Sequence, residues 1–153
     1  RDLLNAASYD ALHFEGGGTD LTVGLAKGHR WVGGANALPD GTPYAPNLPT
    51  EEIFTMPDRT RTEGRAVFTK PAVIGGTIVE GLVVTFEGGK AVKIEATSGE
   101  AVAQKYFTTD EGASHLGEVA LVAESSPIAR SKDPFARATR ACTRSSSPWW
   151  YAR

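Results

Sequence analysis

Glycine turns between short β-prone runs constrain the fold of this 153-residue chain more than any other feature of its sequence. A triple glycine at 16–18 separates the β-prone residues 11–14 from an alternating run at 21–25. A Glu-Gly-Gly-Lys turn separates two longer runs, at 77–86 and 91–96. A strand, a glycine turn and a second strand are typical of a β hairpin. The sequence therefore predicts a sheet that consists mainly of antiparallel hairpins.

One helix is predicted to pack on this sheet. Thr97 and Glu100 have the spacing of a capping box, which predicts a helix over about 98–108. The apolar stripe of this helix contains four residues: Val102, Ala103, Tyr106 and Phe107. The predicted fold class is therefore α+β, mostly antiparallel β hairpins with one helix on the sheet.

Composition excludes several classes of function. The chain is 41% hydrophobic and 22% charged, which is typical of a globular protein. Its net charge of -2 argues against a general nucleic-acid binder, and no apolar run is long enough to span a membrane. The single cysteine, Cys142, excludes an internal disulfide and fits a reducing compartment. We therefore expect a cytoplasmic protein that binds neither nucleic acid nor membranes.

The composition changes near Ser126. From Pro127 to Arg153, five arginines and one lysine stand against a single acid, Asp133. This tail has a net charge of +5, so residues 1–126 carry -7. Two interpretations stay open: a basic tail that binds an acidic partner, or a stretch that did not evolve to fold.

A pair of adjacent carboxylates is the first candidate site. Pro46 and Pro49 stiffen the loop that leads to Glu51 and Glu52, and the chain is predicted to leave this loop as a strand. Neighbours in a strand point to opposite faces, so only one of the two carboxylates is expected to face a cavity. A carboxylate on a rigid junction could serve as a metal ligand or a general base. It could equally be a solvated turn residue without a chemical role.

Glu118 is the second candidate, because it is the lone charge in the predicted apolar strand 116–122. Burying an unpaired charge is costly, so a buried Glu118 needs a partner. A metal ion, a hydrogen-bond network or an ion pair would serve, and three arginines are candidates for the ion pair: Arg59, Arg61 and Arg65. If the strand lay exposed at the edge of a sheet, Glu118 would be solvated and would need no partner. His115 is expected to be a surface or junction residue, since no helix is predicted to place it beside Glu118.

Five motifs occur along the chain: HFEGGGTDLTVGL (13–25), WVGG (31–34), PNLPTEEIFT (46–55), EGLVVTFEGGKAV (80–92) and TDEGASHLGEVALV (109–122). In this order they resemble successive motifs of the thermophilic metallo-aminopeptidase family, of the aminopeptidase T and aminopeptidase S type. The resemblance covers roughly residues 3–128. It implies part of a larger catalytic domain that hydrolyses N-terminal residues from peptides.

The resemblance also implies a metal site. In the family, a carboxylate of the PNLPTEE motif and the glutamate of LGEVALV are ligands of two divalent ions, zinc or cobalt. At the matching positions of this sequence, the resemblance implies that these ligands are Glu52 and Glu118. The spacing to Glu118 favours Glu52, and Glu51 stays open as the alternative. Family members are homodimers by the same resemblance.

The family's other ligands are two histidines, an aspartate and a tyrosine, which follow the segment Ser126-Pro127-Ile128. Residues 129–153 contain no histidine. We therefore expect residues 1–128 to be a partial catalytic domain and 129–153 to be an aberrant, disordered tail from a shifted reading frame. Such an internal fragment is expected to be inactive and not to hold the ions stably. The alternative is a non-catalytic β-rich binding module with a basic tail.

Overall fold

The structure is a computed structural model that describes residues 1–34, 36–44 and 52–122. It contains two helices, α1 (Asp2–Ala7) and α2 (Glu100–Phe107). The strands are β1 (Ala11–Gly16), β2 (Thr19–Leu25), β3 (Val32–Gly33), β4 (Asn36–Ala37), β5 (Pro43–Tyr44), β6 (Glu52–Thr55), β7 (Pro57–Val67), β8 (Ala72–Ile74), β9 (Thr77–Val79), β10 (Val83–Glu87), β11 (Lys90–Glu95) and β12 (Val119–Val122). The α+β prediction is confirmed. No helix in these ranges is long and apolar enough to cross a membrane.

Within the described residues the strands form four sheets, and every pairing is antiparallel. The largest sheet has the order β1-β2-β7-β10-β11, and a smaller one has the order β12-β6-β3. The β4–β5 and β8–β9 pairs form the two remaining sheets. Both predicted glycine-turn hairpins are present, as β1–β2 and β10–β11.

The predicted strand 77–86 is divided into β9 and β10 by Glu80, Gly81 and Leu82. The carbonyl of Glu80 accepts hydrogen bonds from the Thr97 backbone N–H at 2.8 Å and from its hydroxyl at 2.9 Å. Gly81 has a φ of +60°, and a Cβ at this position would lie 2.6 Å from Thr97 Oγ1. The prediction of one long strand was wrong because these contacts turn the chain toward residues 97–98.

The predicted helix is confirmed as α2, although its cap differs from the expected capping box. Gly99 is the N-cap, and the Glu100 carboxylate accepts a hydrogen bond from the Ala96 backbone N–H at 3.0 Å. Thr97 does not cap the helix, since its hydroxyl donates to Glu80 instead. Ala103 and Phe107 are the buried residues of the predicted stripe, and Val102 and Tyr106 pack against the same core.

The hydrophobic core joins the large sheet, α2 and the small sheet. Its buried members are Phe14, Leu21, Val23, Leu25, Trp31, Ala72, Ile74, Val79, Leu82, Val84, Phe86, Ala103, Phe107 and Val119. The helix α1, which the sequence did not predict, is tied to this core through Asn5. Its side chain accepts from the Trp31 backbone N–H at 2.8 Å and donates to the Trp31 carbonyl at 3.0 Å. This pair of bonds fixes the chain directly before β3.

Candidate metal centre

The small sheet carries both described candidate ligands. Glu52 begins β6, and Glu118 directly precedes β12, which pairs with β6 from Val119↔Thr55 to Val122↔Glu52. The prediction that Glu118 lies inside a strand was wrong by one residue, because pairing begins only at Val119. Glu51 lies outside the described residues, so the choice between Glu51 and Glu52 stays a prediction.

The alternation of β12, continued by one residue beyond its pairing with β6, puts Glu118 on the same face as Glu52. Directly opposed residues share a face of an antiparallel pair, and so do residues two or four apart on one strand. Glu52 is opposite Val122, and Glu118 lies four residues before Val122. With this continuation, the Cα atoms of Glu52 and Glu118 are about 13 Å apart along the strand direction, at roughly 3.3 Å per residue.

The opposite face of the small sheet packs on the hydrophobic core. Thr55 and Val119 are buried there, and Ile53 and Leu121 pack against the core cluster. The alternate residues of the paired strands form what we call the outer face: Val32, Glu52, Phe54, Ala120 and Val122. Met56 and Glu118 extend this face by one residue beyond the pairing. The side chain of Met56 is 63% exposed. The carboxylates thus belong to the face opposite the core cluster, and this face is covered at Ala120, which is 1% exposed.

Gly33 lets β3 approach the strand that begins with Glu52. It has a φ of +116°, and a Cβ at this position would lie 2.4 Å from the carbonyl oxygen of Glu52. An L side chain is disfavoured both by this φ and by this contact. The first glycine of the WVGG motif, Gly33, therefore allows β3 to pack directly against the backbone of Glu52.

The segment before Glu118 is anchored by His115. This histidine is only 7% exposed, and its Nδ1–H donates to the carbonyl of Arg59 at 2.9 Å. The Ala91 backbone N–H donates to the carbonyl of Ser114 at 2.8 Å, and Leu116 packs against the core. Glu118 therefore lies in a short stretch between these anchors and the β6–β12 ladder.

His115 was expected at the surface or at a junction, and it lies at the junction before β12 but is buried. Because the Arg59 carbonyl can only accept, Nδ1 carries a proton in this contact. Within residues 1–34, 36–44 and 52–122, this buried Nε2 has no hydrogen-bond partner. Sequence reasoning missed this environment because Arg59 lies 56 residues away and no local pattern points to it.

Two of the arginines considered as partners of Glu118 pair with other acids. Arg59 contacts Glu111 at 3.5 Å. Arg61 donates to both carboxylate oxygens of Asp10, and these hydrogen bonds hold the pKa of Asp10 below its usual range. The same contact raises the pKa of Arg61. Both pairs are solvent-exposed and contribute little to stability.

The separation of the carboxylates fits opposite ends of a two-ion centre. Two ions lie about 3.5–4 Å apart in such centres, and each lies about 2 Å from its oxygen ligands. The ion–ion distance and the two ion–oxygen distances together span about 8 Å. The two glutamate side chains would span the rest of the roughly 13 Å between the backbones. In the part of the chain that the structure describes, no group of three or more His, Cys, Asp or Glu side chains could hold an ion. The described residues thus fit part of such a centre and do not complete it.

Comparison with known proteins gives consistent matches. The family model described as thermophilic metalloprotease (M29) matches residues 1–138. Aminopeptidase T of Thermus thermophilus is 54% identical over 127 residues, covering 83% of this chain and 31% of the relative. Aminopeptidase AmpS of Bacillus subtilis is 44% identical over 134 residues, covering 88% and 33%.

A solved structure has a similar fold over the same part. Wild-type AmpT from Thermus thermophilus has a TM-score of 0.80 and 53% sequence identity, covering 84% of this chain and 32% of that chain. The chain therefore spans about a third of the length of the curated relatives it matches.

Proposed function

The chain belongs to the M29 family of thermophilic metalloproteases, and on this basis we propose that it forms part of a metal-dependent aminopeptidase. Its substrates would be peptides, from which the enzyme hydrolyses the N-terminal residue. Glu52 and Glu118 would be two of the metal ligands. The observation that carries the proposal is the pairing of β6 with β12, which brings the strand that begins with Glu52 beside the strand that directly follows Glu118.

In this proposal the two carboxylates hold cations and set the negative potential of the outer face. When bound, two divalent ions polarise a peptide carbonyl and lower the pKa of a bound water. The side chain between the carboxylates on β12 is Ala120, which is buried and small.

The identity of the metal, the cellular location, the oligomeric state and the inactivity of the chain alone are proposals as well. Zinc or cobalt suits a centre of carboxylate oxygens completed by imidazole nitrogen. The single Cys142 supports a reducing, cytoplasmic location. A homodimer is proposed from the family resemblance. The 153-residue chain alone would be inactive, because two carboxylates leave most of the coordination of each ion to other groups.

A chimaera tests the proposal. Residues 1–122 of this chain would replace the matching segment of the Thermus thermophilus aminopeptidase T, to which the chain is 54% identical over 127 residues. We expect the chimaera to release N-terminal residues from peptides, and we expect a chelator to stop this release. Glu118→Gln and Glu52→Gln should each lower kcat/KM by more than the 10- to 100-fold loss seen when a partner of a metal ligand is changed.

Glu95→Gln is the matched control. Glu95 lies on β11 of the large sheet and pairs with Lys93 at 2.9 Å, so the same change of charge occurs away from the small sheet. This variant should retain full activity. Full activity in Glu118→Gln would remove Glu118 from the site. Chelator-sensitive peptidase activity of the 153-residue chain alone would contradict its proposed inactivity.

A further inference from the structure

The contact between His115 and Arg59 continues the register of the small sheet. Within the described residues, β6 and β12 pair only as far as Thr55↔Val119. Arg59 lies four residues after Thr55, and His115 lies four residues before Val119. The His115 Nδ1–H donates to the Arg59 carbonyl at 2.9 Å. This hydrogen bond therefore joins the two chains where the same antiparallel register would place these residues opposite each other.

The ladder between these two contacts is interrupted because the chain changes sheets at Pro57. Proline has no N–H to donate to a ladder, and Pro57 pairs with Leu25 in the large sheet. Residues 116–118, which the register would place opposite residues 56–58, belong to none of the strands. The His115 side chain thus supplies a hydrogen bond on the far side of this gap.

Glu118 lies inside the interrupted stretch. On one side, Val119 is held by its pairing with Thr55, and on the other side His115 is held by Arg59. Gly117, between these anchors, is exposed, and glycine has more backbone freedom than any other residue. The path of the backbone at Glu118 therefore depends on both anchors.

The His115 anchor differs from the other contacts of this segment in what it joins. The Ser114 carbonyl accepts a hydrogen bond from Ala91 on β11, and Leu116 packs against the core. Arg59, in contrast, lies on β7, which follows β6 after a single residue. The His115–Arg59 bond therefore ties the segment of Glu118 to the chain that begins with Glu52.

We propose that His115 is a positioning residue of the metal centre, and that its hydrogen bond to Arg59 fixes Glu118 relative to Glu52. This inference rests on the proposed function. A ligand that is held in place before the ion arrives loses less conformational entropy when the ion binds. A free Gly117-Glu118 segment would have to be ordered at that moment, so the affinity for the ion would fall.

The test measures the zinc dissociation constant of the chimaera by competition with a chromogenic chelator. His115→Gln removes the donor at Nδ1 and should weaken zinc binding by about tenfold, the lower end of the range for groups that support metal ligands. His115→Asn keeps an N–H at the position of Nδ1 and should restore most of the affinity. Circular dichroism would confirm that each variant is folded at the temperature of the measurement.

Thr19→Val is the matched control. The Thr19 hydroxyl accepts a hydrogen bond from the Val67 backbone N–H at 2.9 Å, and these residues lie 48 positions apart in the large sheet. The variant therefore removes a bond between a side chain and a distant backbone group, as His115→Gln does, but away from the small sheet. Its zinc affinity should equal that of the unmodified chimaera.

The outcomes separate this inference from the proposed function. Unchanged zinc affinity in His115→Gln would overturn the inference, and so would an equal loss in Thr19→Val or in His115→Asn. If His115→Gln does not fold, His115→Asn decides alone: full affinity supports the inference, and a tenfold loss overturns it. The proposed function would still stand on the loss of activity in Glu118→Gln. A folded unmodified chimaera that binds no zinc and is inactive would overturn both.

Discussion

The large and small sheets of this protein form in different ways. In the large sheet, β1 pairs with β2 and β10 pairs with β11 through turns of two residues. In the small sheet, β6 pairs with β3 and β12, and the three strands begin at residues 32, 52 and 119. The two hairpins of the large sheet need little loop-closure entropy, although β7 joins them from a distance. In the small sheet both pairings join distant segments. The candidate site therefore depends on the less local part of the fold.

The two sheets also differ in what they bury. Val84 and Phe86, on β10 of the large sheet, are at most 1% exposed and belong to the core. The outer face of the small sheet exposes Val32 and Met56. We infer that the large sheet supplies most of the stability and that the small sheet presents side chains to a ligand.

The largest expected effect compares a phenylalanine from each sheet. Phe86→Ala should lower the free energy of unfolding by about 3–5 kcal/mol, because it leaves a cavity in the core. Phe54→Ala should lower it by only about 1 kcal/mol, because Phe54 is half-buried on the outer face. Urea denaturation of the 153-residue chain measures both. Equal losses would contradict the division of roles between the sheets.

A smaller effect is expected at the junction of β3 and β6. Gly33→Ala should cost about 3 kcal/mol, because it combines a positive φ with a close contact at the Glu52 carbonyl. The matched control is Gly34→Ala, where φ is +72° but nothing lies within 4 Å of the added Cβ. This control should cost about 1–2 kcal/mol. A difference of zero in urea denaturation would show that β3 does not constrain the backbone of Glu52.

The smallest effect concerns the anchor before Glu118. His115→Gln removes the donor to the Arg59 carbonyl and should cost about 1–3 kcal/mol, as for an acceptor left without its bond. His115→Asn keeps an N–H at the position of Nδ1, so it should be less destabilising by about 1 kcal/mol. Thermal unfolding of the two variants checks this order. The reverse order would show that Nε2, rather than Nδ1, makes the important contact.

Local patterns predicted the large sheet and failed where the partner is distant. The hairpins follow from glycine turns and alternation, and helix α2 follows from residues within one segment. The cap of α2 was missed because the Thr97 hydroxyl bonds to Glu80, which belongs to another part of the chain. Likewise, β7 begins at Pro57 because it pairs with β2 at Leu25, a partner that no local pattern indicates.

The candidate site was predictable only through the resemblance. Nothing in the residues around Glu52 indicates that its strand pairs with one that begins 67 residues later. Residue reasoning left Glu118 with several possible partners, and the pairing of β6 with β12 is what brings it to the same sheet as Glu52. The burial of His115 was not predictable for the same reason, since it depends on Arg59 on a distant strand.

The central claim is that Glu52 and Glu118 belong to one metal centre. Counting the ions bound per chain in the chimaera, by elemental analysis after dialysis, tests it most directly. If one centre uses both carboxylates, Glu52→Gln, Glu118→Gln and the double variant should lose metal to a similar extent, because ligands that act as a unit are not additive. Glu95→Gln should keep the full content. Full metal content in either single variant, or losses that simply add in the double variant, would contradict the claim.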